Sequence, residues 1–394
     1  MAKRKNVNYI SGKESRSISK RNRQITKKLE KQRNDSNRDR SQYMTKMRDE
    51  NNVVELDNVC TYFFTDIGVI RAVDGASFDI PKCSTVGVVG ESGCGKSVTS
   101  LSIMQLVQRP TGQVVGGEIR LNNGDGTAYN IVNTPTSIMQ EIRGNKVSMI
   151  FQEPMTSLNP VFRIGAQINE VLELHNKEMT KEQINARTLE MLKMVGIANA
   201  EGVYNMYPHE LSGGMRQRVM IAIALACNPQ LIIADEPTTA LDVTIQAQIL
   251  DLLRNLKDKI NSSIMLITHD LGVIAEMADY VVVMYAGRVV EKGTAQDIFH
   301  DPRHPYTIGL MNSKPVVGKK VDELYNIPGN VPNPVNMPNY CYFRDRCEYC
   351  DAEKCSGCYP PEIKISDTHV VSCWRFSEEG EIMGYPKIID TEEL

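Results

Sequence analysis

An eight-residue segment constrains the fold of this chain more than any other part of its sequence. It follows Thr85–Val89, a short run typical of a buried parallel strand, and it precedes a helix predicted over Ser97–Gln108. It fits the pattern G-x-x-x-x-G-K-[ST] with Gly90, Glu91, Ser92, Gly93, Cys94, Gly95, Lys96 and Ser97. This order of strand, glycine-rich loop and helix predicts an α/β chain that wraps a phosphate group.

The residue types in this loop suit the phosphates of a nucleoside triphosphate. Glycines let the backbone N–H groups face an anion, and the helix that follows adds its positive N-terminal end. Lys96 can reach the β- and γ-phosphates, and Ser97 can bind Mg²⁺. A turn that merely resembles the motif is the alternative, and the flanking strand and helix argue against it. We therefore predict a nucleoside triphosphate site.

Strands and helices continue to alternate along the chain. Thr180 and Gln183 form a capping box for a helix that runs to about Val195. A second helix is predicted over Val243–Ile260, and a further strand over Tyr280–Tyr285. Alternation of this kind predicts a parallel sheet covered by helices.

Polar residues stand at the ends of three predicted strands. They are Gln152 after Val147–Phe151, Asp235 and Glu236 after Leu231–Ala234, and His269 after Ile264–Thr268. Ligands of such folds bind at the carboxyl ends of the strands, so these side chains should meet in one crevice. Asp235 suits the Mg²⁺ shell, and Glu236 can orient or deprotonate the attacking water. We expect His269 to contact the γ-phosphate, although a lone histidine at a strand end is usually structural, and Gln152 to contact both Mg²⁺ and the water.

Ser212 begins another predicted helix, within Leu211–Met215. Serine is a good N-cap residue, so ordinary capping could explain it. The alternative is a second anion site, made by the Ser212 hydroxyl and the backbone N–H groups of Gly213 and Gly214. Because the first loop already serves the nucleotide of its own chain, this second site is expected to act on a nucleotide held by another subunit.

Together these segments resemble the ATP-binding cassette (ABC) family over about residues 53–300. The resemblance assigns the phosphate loop to the Walker A motif, Gln152 to the Q-loop, Leu211–Met215 to the signature motif, Ile232–Glu236 to Walker B, Ala240–Asp242 to the D-loop and His269 to the switch histidine. The aromatic residue that stacks on adenine in this family aligns with Phe63, with Tyr62 as the alternative. The resemblance implies a P-loop (RecA-like) ATPase core, an antiparallel β subdomain, a helical signature subdomain over about 155–212, and ATP with Mg²⁺ as ligands.

Longer segments are similar to the ATPases of oligopeptide and dipeptide importers. They are Gln152–Pro160, Leu211–Ala222, Glu236–Thr244 and Pro302–Thr307. Thr239 favours the D-type member of the usual D/F pair of ATPases. This resemblance implies a peripheral subunit at the cytoplasmic face of the cell membrane. Its implied partners are a second, F-type ATPase chain, two transmembrane permease subunits and, indirectly, an extracytoplasmic substrate-binding protein. Nickel or another small solute is the alternative to peptide.

Six of the ten cysteines lie within residues 341–373, and in a chain without a secretory signal such a cluster favours metal ligation over disulfides. In the importer ATPases a C-terminal cysteine set holds a [4Fe–4S] cluster. That pattern maps onto Cys341, Cys347, Cys355 and Cys373. Cys350 and Cys358 are additional, and the C-x-x-C pairs that they complete could bind zinc instead. Metal-free thiols are the third interpretation.

Charge divides the chain at about residue 50. Residues 1–50 carry 16 Lys and Arg against 6 Asp and Glu, whereas the remainder carries 29 against 42. The basic arm has almost no large apolar side chains, so it is predicted to be disordered, with attraction to anionic lipid or nucleic acid as the alternative. The expected regions are this arm, a nucleotide-binding cassette over 51–305 and a small cysteine-rich domain over 306–394.

A soluble cassette ATPase that acts on nucleic acid is the rival class. Such proteins typically carry two cassettes, long coiled coils or nucleic-acid-binding insertions, whereas this chain shows one cassette and an acidic body. No nucleic-acid partner is therefore expected. The longest apolar stretch, Val219–Cys227, is far below the roughly 18 residues that span a bilayer, so we predict no membrane-spanning segment.

Overall fold

The computed structural model describes residues 10–34, 38–153, 157–239, 241–313, 325–386, 389 and 391. Two β-sheets organise the fold, one antiparallel and one mixed. Helices pack against the sheets. The phosphate loop connects a strand of the mixed sheet, Thr85–Val89, to the helix that follows it, Lys96–Ile103. In the part of the chain that the structure describes, no helix is both long enough and apolar enough to span a bilayer.

The antiparallel sheet has five strands in the order β1-β6-β5-β2-β3. They are β1 (Met44–Thr45), β2 (Asn52–Phe64), β3 (Val69–Pro81), β5 (Gly112–Asn122) and β6 (Ala128–Asn130). β2 and β3 form a hairpin that pairs Asn52 with Pro81 at one end and Phe64 with Val69 at the other. This sheet is the antiparallel β subdomain that the resemblance implies.

The mixed sheet has nine strands in the order β14-β12-β13-β11-β10-β4-β9-β8-β7. They are β4 (Thr85–Val89), β7 (Val147–Ile150), β8 (Leu231–Asp235), β9 (Ser263–Ile267), β10 (Tyr280–Tyr285), β11 (Arg288–Thr294), β12 (Glu362–Lys364), β13 (Val370–Val371) and β14 (Glu381–Gly384). The five strands from β10 to β7 are parallel. β4, β8 and β9 are buried along their whole length, as expected of strands covered on both faces. The predicted parallel sheet is thus confirmed.

Twelve helices have defined bounds in the described residues. They are α1 (Gly12–Arg33), α2 (Lys96–Ile103), α3 (Thr136–Ile142), α4 (Ile164–His175), α5 (Lys181–Met194), α6 (Ala200–Asn205), α7 (Gly213–Leu225), α8 (Val243–Ile260), α9 (Leu271–Met277), α10 (Ala295–His300), α11 (Pro305–Asn312) and α12 (Lys354–Gly357). The capping box of Thr180 and Gln183 begins α5, and α8 has the predicted bounds. α4 to α6 occupy the region expected for the helical subdomain.

The basic arm differs from its prediction of disorder, because residues 12–33 form helix α1. Ile25 and Leu29 pack on the antiparallel sheet, and the Asn22 amide donates to the Thr65 carbonyl at 2.7 Å. Most of the other side chains in the helix are polar or basic. Two apolar residues one turn apart are too weak a pattern to predict a docked helix from sequence. Residues 1–9 of the arm lie outside the described residues.

The C-terminal region, residues 325–386, extends the cassette where the sequence predicts a separate small domain. β13 pairs with β11, so β12 to β14 continue the mixed sheet. Tyr342 and Tyr359 are buried in the main core, and the Arg288 guanidinium lies 4.0 Å from the centre of the Tyr359 ring. Aromatic side chains in loops attach this region, and they have no periodicity that a sequence pattern could show.

Candidate nucleotide-binding site

The phosphate loop joins β4 to α2, and its shape requires glycine. Gly90, Gly93 and Gly95 have φ angles of +150°, +79° and +102°. A Cβ atom at Gly90 would lie 2.2 Å from the Met284 carbonyl oxygen, and one at Gly95 would lie 2.3 Å from that of Ala72. Packing against neighbouring backbone therefore fixes the loop in a form that larger residues cannot adopt.

Lys96 turns its ammonium back over this loop. The side chain is buried, and Nζ donates to the carbonyl oxygens of Gly90 at 2.7 Å and Glu91 at 3.1 Å. Carbonyl oxygens are weaker partners for an ammonium than phosphate oxygens are, because they carry only partial charge. The lysine is thus positioned to exchange these contacts for those of a bound phosphate chain.

Ser97 and Asp235 come together beside the loop, as predicted. The Ser97 hydroxyl donates to Asp235 Oδ1 at 3.0 Å, and Asp235 ends β8 with only 5% of its surface exposed. Burial raises the pKa of the Asp235 carboxyl group. A bound cation would offset that effect and favour the ionised form. Hydroxyl and carboxylate oxygens are ligands that Mg²⁺ accepts, so this pair fits a magnesium ion.

Two of the predicted strand-end residues, Gln152 and His269, meet around a third, Glu236. Its Oε2 atom accepts hydrogen bonds from Gln152 Nε2 at 3.0 Å and from the Thr239 hydroxyl at 2.9 Å. His269 Nδ1 lies 3.5 Å from Oε1, and the histidine side chain is 70% exposed. Glu236 also has a φ of +46°, which is uncommon for a residue with a side chain and is often found at functional sites. The arrangement holds one carboxylate at an open crevice.

Thr239 is one residue of the site that sequence reasoning missed, because in the sequence it marks only the subfamily. Its hydroxyl contact with Glu236 depends on a turn, in which the Thr239 N–H donates to the Glu236 carbonyl at 3.1 Å. Gln217 is a second residue that sequence reasoning missed. It lies one turn inside α7, is buried, and donates from Nε2 to the Pro237 carbonyl at 2.6 Å. It stands between two arginines near the start of the helix, so no sequence pattern marks it.

The signature segment stands apart from the phosphate loop. The Ser212 hydroxyl accepts from the Met215 N–H at 3.3 Å as an N-cap, and Ser212 and Gly213 are exposed. A Cβ atom at Gly213 would have no neighbour within 4 Å. Across the described ranges, no hydrogen bond or ion pair joins Ser212–Gly214 to Gly90–Ser97. The predicted second anion site is therefore open to solvent in this chain.

The two candidates for the adenine contact differ in burial. Tyr62 is fully buried, and its hydroxyl donates to Asp74 at 2.5 Å, so its ring cannot stack on a ligand. Phe63 is half-buried on β2 and stays the predicted adenine contact. Within the segments compared with the family, Ala240 of the D-loop and residues 154–156 lie outside the described residues.

A second candidate site is a cavity of about 270 Å³ in the C-terminal region. All four predicted cluster ligands line it, namely Cys341, Cys347, Cys355 and Cys373. Cys350 and Cys358 are not among its lining residues. A hydrogen bond from the Cys341 thiol lowers the pKa of Cys355, whereas burial raises that of Cys373 to about 12. The four predicted thiols thus share one enclosed space.

A shared cavity does not by itself make the four thiols a metal site. Among the described residues, no group of three or more His, Cys, Asp or Glu side chains is arranged to hold a metal ion. This finding supports neither zinc nor an iron–sulfur cluster at these thiols. The four thiols line one cavity, and the cluster stays a prediction.

Comparison with known proteins agrees with this architecture. The model of the ABC transporter family matches residues 73–239, and that of the oligopeptide/dipeptide transporter C-terminal region matches residues 290–355. The oligopeptide transport ATP-binding protein AppD of Bacillus subtilis is 53% identical over 328 residues, which cover 83% of this chain and 98% of AppD. The dipeptide transport ATP-binding protein DppD of Lactococcus lactis is 47% identical over 348 residues, or 88% of this chain and 95% of DppD.

A solved structure supports the same assignment. The ATP-binding cassette MJ0796, in a dimeric post-hydrolysis state bound to ADP and Pi, is 29% identical with a TM-score of 0.54. The match covers 61% of this chain and 98% of MJ0796. The family match, the similar ATP-binding proteins and the solved cassette together show that the chain is an ATPase that uses ATP and Mg²⁺. It belongs to the ABC transporter family, among the ATP-binding proteins that carry the oligopeptide/dipeptide transporter C-terminal region.

Proposed function

We propose that this chain powers a membrane importer of oligopeptides or dipeptides, as a peripheral subunit at the cytoplasmic face. The main support is the C-terminal region, which matches the oligopeptide/dipeptide family over residues 290–355 and packs into the core of the cassette. AppD and DppD are named for oligopeptide and dipeptide transport. Two transmembrane permease subunits and a substrate-binding protein would complete the importer.

ATP binding would use the contacts that already surround the loop. The backbone N–H groups of Gly90–Ser97 would face the phosphates, and Lys96 would exchange two carbonyl oxygens for phosphate oxygens. Ser97 and Asp235 would hold Mg²⁺, with Gln152 nearby, and the ion would offset negative charge on the phosphates. Phe63 would stack on the adenine.

For hydrolysis, Glu236 would orient the attacking water and accept its proton. Gln152 and Thr239 both donate to Oε2, so they fix the carboxylate and leave Oε1 on the side of His269. His269 is largely exposed in the crevice, where it can contact the γ-phosphate. General-base catalysis of this kind contributes about 10²–10⁴-fold in rate.

The signature segment would act on the ATP of a second ATPase chain, an F-type paralogue in this proposal. Ser212 and Gly213 are exposed and have no hydrogen bond to their own phosphate loop among the described residues. MJ0796, the cassette of similar fold, is dimeric in its solved structure. Gln217 in α7 is hydrogen-bonded to Pro237, the residue after Glu236. A movement of α7 when the second chain's ATP binds at Ser212 would therefore reach Glu236 of the same chain.

Peptide uptake is the direct test of the proposed function. Cells that depend on the full importer should take up a labelled dipeptide or oligopeptide with the wild-type chain and lose uptake with Glu236→Gln. Integral membrane proteins should co-purify with both forms. Uptake of nickel without uptake of peptide would show that the importer carries another solute. Co-purification of RNA or DNA without membrane proteins would support a soluble ATPase that acts on nucleic acid.

We further propose that the cysteine-lined cavity holds one [4Fe–4S] cluster. Protein purified without oxygen should contain about four iron and four sulfide per chain and should be brown. Cys341→Ser should remove the iron, whereas Cys350→Ser, the matched control outside the cavity, should retain it. The cluster would tie loops together and has no assigned redox role. Stoichiometric zinc, or equal iron in both variants, would contradict this assignment.

A further inference from the structure

A buried ion pair reaches the phosphate loop from the C-terminal region. Arg346 ends the 3₁₀-helix Arg344–Arg346, and its Nη1 and Nη2 atoms donate to the two carboxylate oxygens of Glu91 at 2.8 Å and 3.1 Å. The arginine side chain is only 5% exposed. Bidentate pairs of this kind fix both distance and orientation. Glu91 is the second residue of the phosphate loop, so the loop is held by a residue outside every cassette motif.

Arg346 is itself anchored on several sides. Its Nε atom donates to the Pro328 carbonyl at 2.8 Å, and Nη1 lies 3.3 Å from the Tyr285 hydroxyl on β10. Nη2 also donates to the Ile327 carbonyl at 3.3 Å. These bonds fix the guanidinium relative to the mixed sheet. The ion pair therefore positions the loop against the sheet, with the arginine as the fixed partner.

Tyr306 binds the backbone N–H group of Glu91. Its hydroxyl oxygen accepts a hydrogen bond from the Glu91 N–H at 2.8 Å, and its ring is fully buried in α11. Burial raises the pKa of this phenol, so it stays neutral and keeps its proton. Both the side chain and the amide of Glu91 are thus bound by groups that follow residue 300.

Charge gives a second reason for the ion pair. A free carboxylate in a loop that binds ATP would repel the phosphates, and the loop lies in a partly buried site where such repulsion is poorly screened. Arg346 compensates the charge of Glu91 directly. Order gives a further reason, because a glycine-rich loop that is already fixed does not have to lose conformational freedom when ATP binds.

We propose that Arg346 and Tyr306 are positioning residues for ATP binding. Through Glu91 they hold the phosphate loop in its binding shape, and Arg346 also neutralises the carboxylate inside it. The C-terminal region is in this sense a part of the nucleotide site. The contacts with Glu91 act on the affinity for ATP, whereas the rate of the chemical step depends on Glu236.

The test is a double-mutant cycle in the full-length protein, with ATP affinity measured by a fluorescent ATP analogue and Mg²⁺. Arg346→Gln leaves an unpaired carboxylate in the loop, so it should weaken binding about 10–100-fold and change the rate at saturating ATP by less than about threefold. Glu91→Gln removes the charge and should weaken binding by less than about tenfold.

The double variant Glu91→Gln with Arg346→Gln should bind ATP better than Arg346→Gln alone, because it no longer carries the unpaired carboxylate. A purely structural loss would not be rescued in this way. Arg344→Gln is the matched control, since Arg344 lies in the same 3₁₀-helix and contacts Ser356 and Asp345. It should leave affinity within about twofold of wild type.

Wild-type affinity in Arg346→Gln, or a double variant that binds no better than that single variant, would overturn the proposal. If Arg346→Gln does not fold, Tyr306→Phe provides the test, because it keeps the buried ring and removes only the hydroxyl. It should weaken ATP binding about 3–10-fold and speed hydrogen exchange at the Glu91 amide. Unchanged affinity and exchange in a folded Tyr306→Phe protein would equally contradict the positioning role.

Discussion

Two regions of this chain hold their functional side chains in different ways. The phosphate-loop half contains Gly90–Ser97 and the strand ends beside it, and the signature half contains Leu211–Met215. In the first, Ser97 is bonded to Asp235 and Gln152 to Glu236, so residues far apart in sequence already touch. In the second, Ser212 is exposed, and among the described residues its hydrogen bonds stay within its own helix. The sheet brings strand ends together within one chain, whereas the described part of the chain places no phosphate-loop residue against the helix N-terminus at Ser212. This contrast fits a chain that supplies halves of two sites.

The largest effect should come from Glu236→Gln in the phosphate-loop half. This change keeps the size of the side chain and the hydrogen bond from Thr239 but removes the base, so ATP hydrolysis should fall about 10²–10⁴-fold. ATP should still bind, because Lys96 and Ser97 are unchanged. Phosphate release and equilibrium ATP binding, measured together, separate the two properties. Glu276→Gln is the control, as Glu276 is exposed and pairs with Arg254 away from the site. Near-normal hydrolysis would refute the catalytic role of Glu236.

The next effect tests the signature half. In the Glu236→Gln variant, a closed pair of ATPase chains should accumulate when ATP is present. Adding Ser212→Arg to this variant should weaken the association of the two chains at least about tenfold. A bulky cation would block the exposed docking surface without touching the phosphate loop of its own chain. Sedimentation with and without Mg-ATP measures the association, and ATP binding per chain should not change.

Thr180→Arg is the matched control for that experiment. Thr180 is also an N-cap, at the start of α5, so its replacement tests whether loss of a helix cap alone is enough. We expect the ATP-dependent pair to persist in this variant. If Ser212→Arg and Thr180→Arg behave alike, or if no pair forms in Glu236→Gln, the proposed two-chain site is wrong even though Glu236 keeps its own role.

The smallest of the three effects concerns Mg²⁺ at Ser97. Ser97→Ala removes the hydroxyl that is bonded to Asp235, so the Mg²⁺ concentration needed for half-maximal hydrolysis should rise about tenfold. Ser100→Ala in the same helix is the control, because that hydroxyl donates to the Ser97 carbonyl at 2.8 Å. An unchanged Mg²⁺ dependence in Ser97→Ala would remove the assignment of a magnesium ligand.

The meeting of Gln152, Asp235 and His269 at one edge of the sheet could be predicted, because each stands at the end of a strand. The apolar runs that precede Gln152, Asp235 and His269 mark buried parallel strands, and the geometry of such sheets places their ends at one edge. The bounds of α8 followed equally well from its 3.6-residue apolar period.

The rest could not be read from the sequence, because it depends on single contacts between distant segments. Gln217 meets the Pro237 carbonyl and Arg346 meets Glu91, and neither pair has a local pattern. Helix α1 docks through Ile25 and Leu29 on a surface that exists only once the antiparallel sheet has formed. The C-terminal loops attach in the same manner, through aromatic side chains without periodicity.

The bond between Glu91 and Arg346 has a consequence for synthesis of the chain. The two residues are 255 positions apart, and at typical translation rates the ribosome needs roughly 10–50 s to pass from one to the other. During that interval the emerging chain has every residue of the glycine-rich loop but not the arginine that braces it. A chain interrupted before residue 346 would display the whole nucleotide motif with an uncompensated carboxylate inside it. Nascent and truncated chains should therefore bind ATP more weakly than the full-length protein does. Tight binding of ATP should begin only when residue 346 has been added and has reached the loop.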